Sequence, residues 1–303
     1  MSTNTKRLII FVIILLILSL ALNFFFRSGP SIFGGFNNNI SQRGTNTFPV
    51  NGSFSKIEVE SKTGDIRFHN AGRGSAKVVW SGSSVMKLDV LSRGDTLKIT
   101  ENYRLPWFLR FGIHLEKSVI DVHLPEKDYK SLNVGSGTGS ITVPTGFTFG
   151  DAKIETDTGS IDFQADVRDN LKIESDTGRI SCAGVKAKNV EISSDTGSLN
   201  VSSLKASEDI KLKTDTGRIS LSNVIAEDNL EIKSDTGSVS LDRCDAGELE
   251  IKTDTGSISG TLLTEKTFNV KSGTGKINVP STTFGGPCIV RTDTGSITIS
   301  IER

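Results

Sequence analysis

From residue 131 onward, apolar and polar positions alternate in short runs, and the runs recur along the chain. The pattern is clearest when registered on the glycine of a repeated Thr-Gly pair. That glycine stands at Gly139, Gly159, Gly178, Gly197, Gly217, Gly237, Gly256, Gly275 and Gly295, at spacings of 20, 19, 19, 20, 20, 19, 19 and 20 residues. Two residues after it every copy is aliphatic, as in Ile141, Ile161, Ile180 and Leu199. Four after it the column is again mostly apolar, as in Val143, Phe163 and Val201, and five before it run Val134, Ile154, Ile173 and Ile192. Apolar-polar alternation on both sides of a corner is the period of half-buried strands. Each repeat therefore predicts a strand, a Thr-Gly turn, a second strand and a short return segment.

A fixed period of this size marks a solenoid, in which one rung cannot bury its own apolar face but stacked rungs share a continuous core. With strands about 4.8 Å apart, nine rungs make a rod roughly 40 Å long. The fold expected is all-β, a single-chain parallel β-helix with two or three sheet faces over residues 131–303. Upstream, Lys56 to Phe68 reproduces the rung pattern once around Gly64, and residues 76–100 alternate as two or three further strands. Residues 51–130 are read as a first rung plus a β insertion that caps the open edge of the helix, because an uncovered rung is a template for aggregation.

The other strong pattern is N-terminal. Leu8 to Phe26 is apolar except for Ser19 and Asn23, close to the roughly 20 residues that cross a bilayer as a helix. Lys6 and Arg7 precede the run, so the positive-inside bias places residues 1–7 in the cytoplasm and the rest outside. Ser19-Leu20-Ala21 has the form of a signal-peptidase site, but the run continues past it through Phe24, Phe25 and Phe26, which favours an uncleaved anchor. Residues 27–50, rich in Gly, Asn, Ser and Thr, read as a flexible linker. The localisation expected is a single-pass protein of the cell membrane with an extracytoplasmic C-terminal domain.

Composition narrows the chemistry. Lys plus Arg and Asp plus Glu both total 35, which excludes a generally basic nucleic-acid binder. Three Cys and three His are too few for a disulfide framework or a His-rich metal centre. No nucleophile-base pair and no phosphate-binding glycine loop is found, so no catalytic residue, metal ligand or cofactor is expected.

The repeated corner carries the most conspicuous polar residues. Two before the glycine stand Asp157, Asp176, Asp195, Asp215, Asp235, Asp254 and Asp293, with Gly137 and Gly273 in the remaining rungs. The residue between is always Thr, and Ser or Thr stands three before. A glycine at every corner suggests a turn at positive φ, and the Asp suggests a side chain capping that glycine's N–H. Asp-Thr-Gly-Ser also occurs in aspartic proteases, but those need two carboxylates facing one cleft, not a ladder along a rod. A calcium ladder and an ice-binding Thr ladder compete with the capping role. The first lacks the glycine-rich calcium nonapeptide, and in the second Asp stands between the hydroxyls.

Four before the glycine, Lys213, Lys233, Lys252, Lys271 and Arg291 form an outward cationic column, a candidate for binding an anionic envelope polymer. Trp107, Phe108 and Phe111 concentrate aromatics in one segment, which suits a membrane or partner loop or else a cover for the solenoid end. Cys182, Cys244 and Cys288 read as small core residues.

The Ser/Thr-Asp-Thr-Gly-Ser/Arg-Ile repeat, with the N-terminal anchor and the Thr-Gly-Asp-Ile rung at 63–66, resembles the bacterial "putative adhesin" family of DTGS-repeat β-solenoids, a domain of unknown function. The resemblance covers residues 50–303. It implies a non-enzymatic, membrane-anchored protein of surface-interaction or envelope-stress type, whose partner is an envelope polymer or another membrane protein. A β-helix carbohydrate-active enzyme and a purely structural spacer are the competing functional classes.

Overall fold

The computed structural model describes residues 43–104 and 117–302. The expected tail, the anchor at 8–26, residues 27–42 of the linker and the Trp107, Phe108 and Phe111 segment lie outside the described residues. Among the described residues every regular element is a strand, and no helix is long and apolar enough to cross a membrane.

The repeats fold as the alternation requires. Before each corner glycine a strand joins one long parallel sheet, and after it a strand joins a second. Equal positions stack in register, so Ile154 lies beside Ile173 and Ile173 beside Ile192. Ile154, Ile173, Ile192, Leu212, Ile232 and Ile251 are all fully buried. A third, short ladder on the return segments stacks Ala187, Ala206, Ala226 and Ala246. Small residues suit this face, where the chain turns back and little depth is left.

The N-terminal region departs from a simple stack. Its strands are β1 (Arg43–Pro49), β2 (Lys56–Ser61), β3 (Asp65–Asn70), β4 (Lys77–Ser83), β5 (Met86–Arg93), β6 (Thr96–Tyr103), β7 (Val119–Leu124), β8 (Asp128–Thr138) and β9 (Ile141–Val143). The Gly64 rung, formed by β2 and β3, is not the outermost. β2 pairs in parallel with both β6 and β8, and β3 with both β7 and β9. Beyond β6 and β7 the pairing turns antiparallel, with β5 on one sheet and β4 then β1 on the other. The insertion thus supplies a further rung and the cap outside it. Residues 43–49, expected within the flexible linker, instead form β1. The Thr-rich segment has β propensity, and β4 offers it an otherwise unpaired edge.

The C-terminal end is interleaved too, where a stack in chain order was expected. The part of Val239–Thr255 that leads to Gly256 pairs with Gly286–Thr294, not with Lys266–Thr274. Lys266–Thr274 lies outside Gly286–Thr294, and Ile277–Asn278 outside Ile297–Ile301. The last rung in sequence is therefore inserted, and the Gly275 rung is the terminal one.

Candidate functional site

The corners form the longest continuous surface feature of the solenoid. In each of the seven rungs that carry the Asp, the glycine N–H donates to the carbonyl of the Thr in the next rung, at 2.9 to 3.0 Å from Gly159 to Thr177 through Gly295 to Thr274. The expected aspartate cap is therefore absent, because the backbone of the neighbouring rung has taken its donor. Asp157, Asp176, Asp195, Asp235, Asp254 and Asp293 stand exposed beside an exposed Thr column.

The expected positive φ is found at five of the nine corner glycines. Gly159, Gly178, Gly217, Gly275 and Gly295 have φ of 150 to 156°, a backbone that side chains rarely adopt, whereas Gly139, Gly197, Gly237 and Gly256 have no φ in that range. The stacking excludes a side chain at all nine. A Cβ on Gly178 would lie 1.8 Å from the carbonyl oxygen of Gly159, and one on Gly197 1.7 Å from that of Gly178. The glycine column lets the rungs approach to strand spacing at a bend. Gly137 and Gly273, where the Asp column is interrupted, are also crowded by backbone, at 2.7 Å from the Lys62 carbonyl and 2.6 Å from that of Asp293.

Left-handed residues occur at the opposite, return corner. Gly184, Ser203, Asn223 and Arg243 have φ of 70, 52, 54 and 55° and recur with the same period. Only one of the four is glycine, which is why composition does not mark this corner.

The inward Ser/Thr column lines the first corner from inside. Thr156, Thr214, Thr253 and Thr292 donate to the carbonyls of Gly139, Gly197, Gly237 and Gly256 at 3.1 to 3.2 Å. Ser175, Ser194 and Ser234, at equivalent positions, have buried hydroxyls with no partner. Ser136 and Ser272, in the same column, do donate, to the carbonyls of Gly64 and Gly295 at 3.2 and 2.9 Å.

The five predicted cations are brought into one row. Lys213 lies beside Lys233, Lys233 beside Lys252, Lys252 beside Arg291 and Arg291 beside Lys271. Toward the N-terminus the same row continues as Ser193, Glu174 and Glu155, so it changes sign along the rod. Most of these charges are locally answered. Lys213 meets Asp215 at 3.0 Å, Lys233 meets Glu231, and Lys252 meets Glu250. The hydrogen bond to Asp215 raises the Lys213 pKa, and the hydrogen bond to Glu231 raises that of Lys233. In the acidic half, Lys153 holds the Glu155 carboxyl below its ordinary range by a hydrogen bond at 2.5 Å. A shallow groove there is lined by Glu155, Asp157, Glu174, Asp176, Ser193 and Asp195.

The cysteines are free and buried, and burial pushes the thiols of Cys182 and Cys288 up to about 12. Among the described residues no group of three or more His, Cys, Asp or Glu is arranged to hold a metal. A buried polar cluster not evident from the repeat sits in the cap. Glu101 is wholly buried and accepts hydrogen bonds from Ser61 and Trp80. Its only signal in the sequence is that it follows Ile99 by two, on the inward parity of β6.

The sequence profile of the Toastrack DUF4097 family matches the chain over residues 54–208 and again over 205–303. Among solved structures, a "putative adhesin" from Parabacteroides merdae superposes with a TM-score of 0.52 at 13% identity, covering 86% of this chain and 97% of that one. A "putative adhesin" from Bacteroides fragilis gives a TM-score of 0.38 at 14% identity, covering 86% of this chain and 97% of that one. A "putative lipid binding protein" from Parabacteroides distasonis gives 0.41 at 15% identity, covering 88% and 98%. Among curated proteins none matches.

Proposed function

The chain belongs to the Toastrack DUF4097 family, and we propose on that premise that it is a non-enzymatic surface protein that meets its partner along the side of the solenoid. The observation that carries this reading is the register of the outward rows. Strand spacing fixes the Asp and Thr corner columns and the adjoining charged row at one interval of about 4.8 Å. A surface of that kind suits an extended, repetitive partner such as an envelope polymer, or an elongated face of another membrane protein. The apolar run at 8–26 supports a place at the cell membrane, with the solenoid outside and residues 1–7 in the cytoplasm. An envelope-stress accessory role is part of the same reading.

The test is photo-crosslinking of the full-length chain in intact cells, with probes placed one rung at a time along the Asp corner and on the opposite sheet. Crosslinks to one partner, graded over several successive rungs of the corner side, are the expected result. Capture confined to one rung, or equal on both sides, overturns the reading. The ion pairing along the charged row favours a second reading, a rigid spacer. It predicts that charge reversal of Lys213, Lys233 and Lys252 together changes nothing in cells while the fold persists.

A further inference from the structure

The two ends of the solenoid are finished differently. At the N-terminal end, β1, β4 and β5 turn the ladder antiparallel and cover it. At the other end, among the described residues, the edge strand Lys266–Thr274 pairs only with Gly286–Thr294, and Ile277–Asn278 pairs only with Ile297–Ile301. Both outer edges are without a neighbouring strand, and the core between them is open. One rung inward Cys288, Val290 and Ile297 are fully buried, whereas in the terminal rung Phe268 and Val270 are half-exposed and Ile277 is 47% exposed. Phe284, in the loop beside it, is 64% exposed.

This open rung is held firmly. Lys266 points inward, and its ammonium reaches past Gly286 to Asp245 Oδ1 at 2.6 Å and the carbonyl of Ala246 at 2.5 Å. Its side chain is 4% exposed. The strap spans the inserted rung and ties the terminal one to the rung beyond it. A buried ion pair of this kind fixes geometry more than it adds stability.

We propose that this end is a self-association face, on which a second copy of the chain docks end to end about a two-fold axis and continues both sheets. The strand itself is self-complementary. Pairing Lys266–Thr274 antiparallel with its own copy, centred on Val270, keeps the inward parity, with Phe268 opposite Ser272. The same register sets Lys271 opposite Asn269 and Lys266 opposite Thr274, so no two cations face each other within this strand pair. Gly273 leaves the terminal corner without the carboxylate that the seven inner rungs carry, so the two Asp ladders do not meet. A two-fold axis perpendicular to the rod makes the pairing antiparallel on both sheets at once, and it closes the assembly at two copies. Nine residues of strand and two sheets about 10 Å apart with their side chains give an end face near 20 by 30 Å. Two such faces bury about 1,200 Å², the lower limit for a specific pair.

The test uses the full-length chain with cysteines placed across the joint. Val270→Cys faces its own copy in the centred register, at a Cβ separation within reach of a disulfide. Leu91→Cys, exposed at the capped end, is the control. The native cysteines are buried and stay in place. The expected result is an oxidised dimer from Val270→Cys and none from Leu91→Cys. Because Val270 borders the core, a mixture of Asn269→Cys and Lys271→Cys chains gives the same reading from outward positions, crosslinking far more when mixed than when separate. Folded chains that form no disulfide in either experiment overturn the proposal. Crosslinking through Leu91→Cys overturns it too, in favour of a different contact. In the Val270→Cys background, Ile277→Lys with Phe284→Lys abolishes the dimer while the melting transition persists; a dimer that survives them overturns the proposal.

Discussion

The indole Nε1 of Trp80 donates to Oε1 of Glu101 at 2.9 Å, and the other oxygen of that fully buried carboxyl accepts from Ser61 at 2.7 Å. The contact joins β4 of the antiparallel cap to β6 of the outermost parallel rung. Removing the carboxyl strands two buried donors, each costing about 1–3 kcal/mol. Glu101→Ala is therefore expected to destabilise the chain by about 2–6 kcal/mol in denaturant unfolding. Glu101→Gln, which keeps an acceptor and the volume, loses less than half of that. Equal losses would show that shape alone matters.

The corner glycines and the return glycine carry different duties, and one substitution type separates them. Gly178→Ala forces a Cβ to 1.8 Å from a backbone oxygen, whereas around Gly184, at φ 70°, a Cβ meets nothing within 4 Å. Gly184→Ala is expected to cost about 1–2 kcal/mol, the left-handed penalty alone. Gly178→Ala costs more than about 4 kcal/mol or prevents folding, since the backbone must move. Circular dichroism melts of the two variants check this.

At the return corner Ser203 occupies the left-handed region with φ 52°. Ser203→Gly relieves that conformation and is expected to stabilise the protein by about 1 kcal/mol, partly offset by the freer unfolded chain. A raised denaturation midpoint at unchanged slope is the signature. A lowered midpoint would mean that the Ser side chain is needed where it stands.

Ser194 has a buried hydroxyl without a partner in a column where Thr donates to the neighbouring glycine carbonyl. Ser194→Thr is expected to add that hydrogen bond to Gly178 and raise stability by about 0.5–1.5 kcal/mol. Ser194→Val, which fills the same volume without the donor, separates the hydrogen bond from packing. If both stabilise equally, the hydroxyl contributes nothing.

The rings of His69 and His123 stack at 4.6 Å, and His69 Nε2 lies 2.7 Å from Asp121 Oδ1. Burial first, then the charges of His69 and Lys77, lower the His123 pKa below its ordinary 6.5, against an opposing pull from Asp121. The unfolded chain then binds more protons than the folded one as pH falls through 6.5. Stability is full above that pH and declines below it, with a slope of at most about 1.4 kcal/mol per pH unit for this group. Melting curves between pH 7.5 and 5 are expected to show the decline in the native chain and a smaller one in His123→Asn.

What the sequence carried was whatever repeats. The columns of Ile154 and Ile161 name the two sheets, and their period names the solenoid, because alternation is a direct imprint of which face is buried. The duties within the corner were not legible. Gly159 looks the same in sequence whether it relieves φ or makes room for a neighbouring carbonyl, and Asp157 looks the same whether it caps or faces solvent. Both answers depend on the rung above, which sequence does not place. Spatial order was hidden for the same reason, since Val290 and Val270 satisfy the core column equally well in either position. Lys266 reads as an ordinary surface cation until Gly286 is seen to leave a gap for it.

The interleaved C-terminal end also sets a timetable for synthesis. Rungs up to Gly256 can settle one upon another as the chain emerges, each finding its support already made. Residues 266–278 emerge next, but the rung they rest on is built from residues 286–301, which are still to come. The seat of the terminal rung therefore does not exist until residues 286–301 have been made. A chain cut short before residue 286 loses the places of two rungs, although it lacks the residues of only one.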